Sequence, residues 1–249
     1  MNRRKNAEIE YPNKLDEEGQ KWLWTKPYSK KYLDESRRTI HDIATIMYLI
    51  EKHKPDADNI MELGCGPGWL AITLAKLGYQ VSGYDISPTM IKIAKQRARK
   101  EVTTARFDVL DIEGKLQADQ NRQNDIVVIY DALHHIRSEE KVLSYAFKYL
   151  KPAGILILGE PNRIHNLGRR AQKAEADFGV TERGLSYGKL AKICRQFGFR
   201  KIYRYHASGQ SFLPRNESLT ETWKMIFYPL LARFIFGKFK TRIWLVAEK

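Results

Sequence analysis

A doubly wound α/β fold with a mostly parallel sheet is the architecture predicted by this chain of 249 residues. Three observations predict it. Four short runs, NIMELG, QVSGYDI, NDIVVIYD and GILILGE, are rich in apolar residues, as strands of a sheet covered on both faces are. Segments with helical spacing separate them, which is the strand-helix alternation of a parallel sheet. The first run ends in an acid, Glu62, and passes into a bend with Gly64, Gly66 and Gly68 at alternate positions, the strand-to-helix turn where such sheets bind ligands.

Each element has its own reason. Upstream of the first strand, ESRRTIHDIATIMYLIEKH places Ile40, Ile43, Met47 and Ile50 on one stripe, predicting a helix packed on the sheet. NIMELG is the first strand, and a helix begins near Trp69. QVSGYDI follows. Ser87 and Pro88 then supply an N-cap and a first-turn proline ahead of TMIKIAKQRA. After NDIVVIYD, Ser138 precedes Glu139 and Glu140 at the start of a helix with Val142, Ala146 and Leu150 on one face. Gly78 and Gly154 close helical or turn segments.

With 43% hydrophobic residues the chain can bury a full core, and one compact unit is expected. No apolar run is long enough to span a bilayer, and MNRRKNAEIEYPNK lacks the apolar stretch of a secretory signal, so a cytoplasmic location is expected. Cys65 and Cys194 form no disulfide framework and lack metal-ligand spacing, which fits a reducing compartment. The net charge of +14 is concentrated late in the chain: residues 161–204 hold 11 Lys/Arg against 3 Asp/Glu, whereas 55–160 hold 13 against 14. Such an excess raises the odds of an anionic partner.

The chemistry starts at the glycine bend. Bare amides at a helix N-terminus let a ligand approach the backbone closely. Asp85, at the tip of the next strand, stands where an acid can accept both hydroxyls of a ribose. Together they predict a nucleoside-containing cofactor. The bend reads G-x-G-x-G rather than the G-x-G-x-x-G of dinucleotide sites, and Glu62 beside it would repel a pyrophosphate but attract an ammonium group. A cofactor with an amino-acid tail follows.

ELGCGPG, GYDISPTMI, FDVLDIE, YDALHHI and LKPAGILILGEP, in that order, resemble the successive motifs of class I S-adenosyl-methionine (SAM) dependent methyltransferases over residues 57–165. The resemblance implies a seven-stranded Rossmann-like sheet with an antiparallel last strand, RKIYRYHA and RIWLVAEK forming the final pair. It implies SAM as cofactor, with Gly64, Gly66 and Gly68 lining the methionine part and Glu62 facing its amino group. Asp85 would hold the ribose hydroxyls, Ile86 would flank the adenine, and Asp111, or Asp108 in a shifted register, would meet the adenine amino group with Ile112 packed on the ring. It also implies a domain at 55–249 preceded by a lid and packing helix at 1–54, the lid including WLWTKPYSKKYLDESRR.

Methyl transfer needs in-line positioning, plus a base when a hydroxyl is the nucleophile. The loops after the fourth and fifth strands face the methyl in this architecture, which singles out Tyr130, Asp131, His134, His135, Glu160 and His165. His134 or His135 is the expected base, Glu160 is expected to orient a substrate hydroxyl, and Tyr130 is expected to line the cofactor. No Asn/Asp-Pro-Pro-aromatic loop and no cysteine stands there, which argues against adenine or glutamine amino groups and cytosine C5 as acceptors. Histidine-bearing loops of this kind resemble the small-molecule branch, so the expected activity is O-methylation of a small molecule or a glycan precursor, including lipid-linked sugars.

Insertions at about 161–184, with Arg163, Arg169, Arg170 and Arg183, and at about 209–240 are expected to shape specificity. The basic, aromatic stretch at 220–240 is expected to contact an apolar substrate, another chain or an anionic membrane face. Two alternatives stand beside this reading: an RNA methyltransferase, and a non-catalytic nucleotide-binding protein. Asp131 and the two histidines could ligate a metal, but with no second acidic cluster nearby in sequence no metal site is expected.

Overall fold

The computed structural model describes residues 3–114, 123–205 and 242–249. The expected insertion at 209–240 and its surface contact lie outside the described residues.

Seven strands, β1 (Asn59–Leu63), β2 (Gln80–Asp85), β3 (Arg106–Val109), β4 (Asn124–Tyr130), β5 (Leu150–Glu160), β6 (Lys201–Tyr205) and β7 (Ile243–Glu248), form one sheet. Their order is β3-β2-β1-β4-β5-β7-β6. Pairings among β1 to β5 are parallel, while β7 runs antiparallel between β5 and β6. The reversal from β1-β2-β3 to β1-β4-β5 puts the topological switch point beside the carboxyl end of β1, where open α/β sheets bind ligands.

Helices α1 (Arg3–Glu10), α2 (Glu17–Thr25) and α3 (Leu33–His53) precede the sheet, α4 (Trp69–Lys76), α5 (Pro88–Lys100) and α6 (Glu139–Tyr149) connect its first strands, and α7 (Arg169–Phe178) and α8 (Tyr187–Gln196) follow β5. The caps act as predicted. Met90 N–H donates to Ser87 Oγ, and Lys141 N–H to Ser138 Oγ. Every residue of β4 is buried, because α4 with α3 covers one face of the sheet and α6 with α8 the other. Among the described residues no helix is long and apolar enough to cross a membrane.

Two expectations need correction. On α3 the buried stripe is Ile43, Ile46, Leu49 and Ile50, while Ile40 and Met47 are 44% and 40% exposed. Their spacing from Ile43 and Ile50 places them at the border of the buried arc rather than at its centre. Gly154 closes no helix: α6 passes straight into β5, and Ala153 takes the positive φ of 59°. A Cβ on Gly154 would lie 3.0 Å from the carbonyl oxygens of both Asp125 and Lys151, so glycine serves a close approach there.

Asp125 ties the amino ends of the central strands together. Its Oδ2 accepts from the N–H groups of Asp58 and Asn59 at 3.1 and 2.9 Å, and its Oδ1 takes the Lys151 ammonium at 2.7 Å. Burial works to raise this carboxyl, yet Lys151 and the two amides hold it at about 2.

Candidate active site

At the carboxyl ends of β1, β2 and β4 a cavity of about 340 Å³ opens between the sheet and the N-terminal helices. Its floor is the glycine bend, and the three glycines serve different ends. Gly64 has φ +76°, and a Cβ there would come within 2.3 Å of Ala132 Cβ. Gly66, at φ +51°, has nothing within 4 Å of an added Cβ, because its missing side chain would point into open space beside the cavity. Gly68 does not line the cavity. At φ +79° it caps α4, and its Cβ would meet Ala94 and Phe107 at 2.8 Å.

Glu62 follows from its place at the end of a fully covered strand. It is 2% exposed, accepts the Ala71 N–H, and keeps Oε2 without a partner. Burial pushes the carboxyl up to about 8. Lys26 lines the same cavity, its ammonium 5.1 Å from the Trp69 ring centroid. Burial lowers the Lys26 pKa, with Asp131 opposing. An orphaned buried carboxyl and a desolvated ammonium facing one cavity match a zwitterionic amino-acid end, carboxylate toward Lys26 and ammonium toward Glu62.

Asp85 is fixed by two backbone amides: Gly66 N–H donates to Oδ2 and Ser87 N–H to Oδ1, both at 2.9 Å. Burial raises its pKa against these bonds. Ile86, Asp111 and Ile112 lie farther along the same wall. Asp111 is held by Lys5 of α1 at 2.7 and 2.8 Å, whereas Asp108 pairs with Lys95 and stands outside the cavity. The shifted register therefore has no support in the geometry.

Beyond β4 the chain turns at Asp131, whose φ of +54° is strained for a non-glycine residue. Burial would raise the Asp131 carboxyl, but the Arg242 guanidinium at 2.9 Å, with His134 and Lys26, keeps it far below the usual carboxylate range. Arg242 also reaches Asp42 at 3.3 Å and stacks over the Tyr130 ring at 4.6 Å. The Tyr130 hydroxyl donates to Asp42 at 2.6 Å, so Tyr130 presents its ring, not its oxygen, to the cavity.

The two histidines have different surroundings. Glu160, with no exposure, accepts the N–H groups of Ala132 and Leu133 and bonds His134 Nδ1, all at 2.9 Å. It fixes the loop and meets no open space. His134 is 3% exposed, with Nε2 3.6 Å from Glu182 Oε2. His135 lines the cavity, and its Nδ1 lies 2.6 Å from the Thr181 carbonyl oxygen. A carbonyl only accepts, so Nδ1 carries the proton and Nε2 keeps its lone pair. His165 bonds Glu182 at 2.6 Å.

Sequence reasoning missed Glu8, Asp42, Thr181, Glu182 and Arg242 as parts of this site. Glu182 lies 47 residues beyond His135, and only the fold brings it alongside. Of the arginines near it, Arg183 pairs with Glu139 at 3.2 Å, and Arg170 pairs with Glu35.

A Rossmann-like sheet with its switch point at a glycine bend, an orphaned buried acid before the bend and a second acid at the tip of the next strand make up the cofactor pocket of a SAM-dependent enzyme. The methyltransferase-domain family model matches residues 54–228. The ubiquinone biosynthesis O-methyltransferase of Xanthomonas axonopodis pv. citri (strain 306) is 26% identical over 132 residues, 52% of this chain and 55% of that protein. Its counterpart from Xanthomonas oryzae pv. oryzae (strain PXO99A) is 30% identical over 104 residues, 42% and 43%. The chain thus spans about half the length of the curated relatives it matches. Among solved structures, magnesium protoporphyrin IX methyltransferase from Synechocystis PCC 6803 with bound SAH superposes at a TM-score of 0.62, with 19% identity, covering 96% of this chain and 98% of that one. Phosphoethanolamine N-methyltransferase 2 of Haemonchus contortus in complex with S-adenosyl-L-methionine gives 0.58 and 17%, covering 92% and 59%. The likeness to these two is one of fold. This chain belongs to the methyltransferase-domain family of SAM-dependent methyltransferases.

Proposed function

We propose that the protein methylates a hydroxyl oxygen of a small-molecule acceptor, with His135 taking the hydroxyl's proton. The observation that carries this reading is the His135 ring itself: it lines the cavity, and its bond to Thr181 leaves the other nitrogen able to accept. The O-methyltransferase activity in the relatives' names supports oxygen as nucleophile. Bound SAM would supply an electrophilic methyl group. Glu62 and Lys26 hold its amino-acid end over Gly64 and Gly66, Asp85 takes the ribose hydroxyls, and Asp111 with Ile86 and Ile112 receives the adenine. The Tyr130 ring lines the pocket, and Gly68 acts from outside it by capping α4. His134 and Glu160 position the loop that carries His135. Residues 1–54 act as the lid and packing helix of the domain at 55–249, a reading supported by the pairing of Lys5 with Asp111 and of the Thr181 amide with Glu8 across the cavity.

The test is a labelled-methyl screen against small aromatic alcohols, free sugars and lipid-linked sugars, followed by variants on whichever class accepts label. His135→Ala should lower turnover by roughly 10²- to 10⁴-fold while SAM affinity stays within about twofold. Full turnover by His135→Ala would remove the histidine from the reaction.

A further inference from the structure

We propose that His134, His135 and Glu182 form a site for a single divalent transition-metal ion of the zinc class, and that the bound ion takes the lone pair His135 needs as a base. One ligand atom from each of these residues lies within 4.8 Å of the other two. This distance is short enough for a small rotation of the side chains to close them around one ion. The geometry of their partners is what distinguishes the cluster from a chance meeting of polar groups.

Both imidazoles have their Nδ1 committed, His134 to the fully buried Glu160 at 2.9 Å and His135 to the Thr181 carbonyl at 2.6 Å. Metal-ligating histidines carry such partners, which set the ring's orientation and leave the opposite nitrogen unprotonated. Glu182 is oriented in the same way by His165 at 2.6 Å. Two imidazole nitrogens and a carboxylate select zinc, cobalt or nickel over magnesium and calcium, which prefer all-oxygen shells. Because His135 and Glu182 line the cavity, a fourth coordination position opens toward it. Glu182 reaches the histidines because the Arg183 N–H donates to the His134 carbonyl at 3.2 Å, pinning the two segments together.

Coordination and proton acceptance use the same lone pair of His135, so they exclude one another. That second half rests on His135 being the base; the site itself does not. The experiment uses the full chain, stripped with a chelator and titrated with Zn²⁺ by calorimetry and with Co²⁺ by visible absorption. Wild type should take up one ion per chain, with the Co²⁺ bands of a four-coordinate site. Glu182→Gln and His135→Gln should each bind at least about tenfold more weakly while still binding SAM, the check that they are folded. Absence of uptake by the wild type, or equal uptake by Glu182→Gln, overturns the site. Methyl transfer by the wild type should fall with the same midpoint as Zn²⁺ uptake and return on chelation; transfer that rises with Zn²⁺ overturns the blocking role. Lack of transfer by the metal-free protein on every acceptor class would strike the proposed function instead, since uptake is read without turnover.

Discussion

Glu62 is protonated in the free protein near neutral pH, because burial pushes it up to about 8, with the Asp85 charge adding to the shift and the Ala71 amide and Lys26 opposing it. An ammonium placed against it favours the charged form. SAM binding should therefore release a proton below about pH 8, and affinity should rise with pH up to that value, as calorimetry in buffers of different ionisation enthalpy will read. Glu62→Gln should weaken SAM binding by roughly ten- to a hundredfold and abolish the proton release. The linkage to folding has the opposite sense. The unfolded chain gives up this proton near pH 4.5 and the folded one near 8, so stability from this group is full below 4.5 and is lost as pH rises across that interval. The acid's position before the glycine bend was legible in the sequence, whereas its altered protonation depends on burial that only the fold supplies. The same holds for the histidine pair. Adjacent residues of one type are indistinguishable on paper, and Glu160, Thr181 and Glu182 give them different surroundings.

Gly68 shows how an element can depend on one backbone conformation. It sits at φ +79° at the start of α4, against Ala94 of α5 and the 3% exposed Phe107 of β3. Gly68→Ala should cost at least about 1 kcal/mol from the left-handed conformation alone, with a further loss from the contact with Phe107, and urea titration should show it. Asp125→Asn should likewise weaken the junction of β1, β4 and β5, by about 1.5–3 kcal/mol. For Asp125 the pH sense is set by a depressed carboxyl: its stabilisation is present above 3.8 and is lost as pH falls from 3.8 toward 2, so the Asn variant should converge with wild type in acid. Strands β1, β2, β4 and β5 and helices α5 and α6 were readable because each carries a local signal, an apolar run or a Ser before an acidic or proline-led first turn, whereas β3, with one buried residue in four, carries none. The 161–184 insertion offered none for its most consequential residue. Its arginines drew notice through their charge, while Glu182 acquires meaning only from contacts made across 47 residues.

For the molecule as a whole, the basic excess of the carboxyl-terminal portion is smaller in space than along the chain, because acids from earlier segments lie against it. Arg170, Arg183, Lys189 and Arg242, all in the basic carboxyl-terminal portion, are engaged with Glu35, Glu139, Asp42 and Asp131. Labelled RNA should accordingly be retained weakly on filters, be released by moderate salt, and acquire no methyl label from SAM. Salt-resistant retention together with label in the RNA would make nucleic acid the acceptor.

The placement of β7 between β5 and β6 also governs how the protein can assemble during synthesis. β6 leaves the ribosome 37 residues before β7 begins, with no neighbour in the sheet to receive it, and the free edge of β5 stays uncovered for the same interval. Nascent chains arrested before Ile243 should therefore be captured by chaperones or self-associate through that edge, and chains released past Glu248 should not.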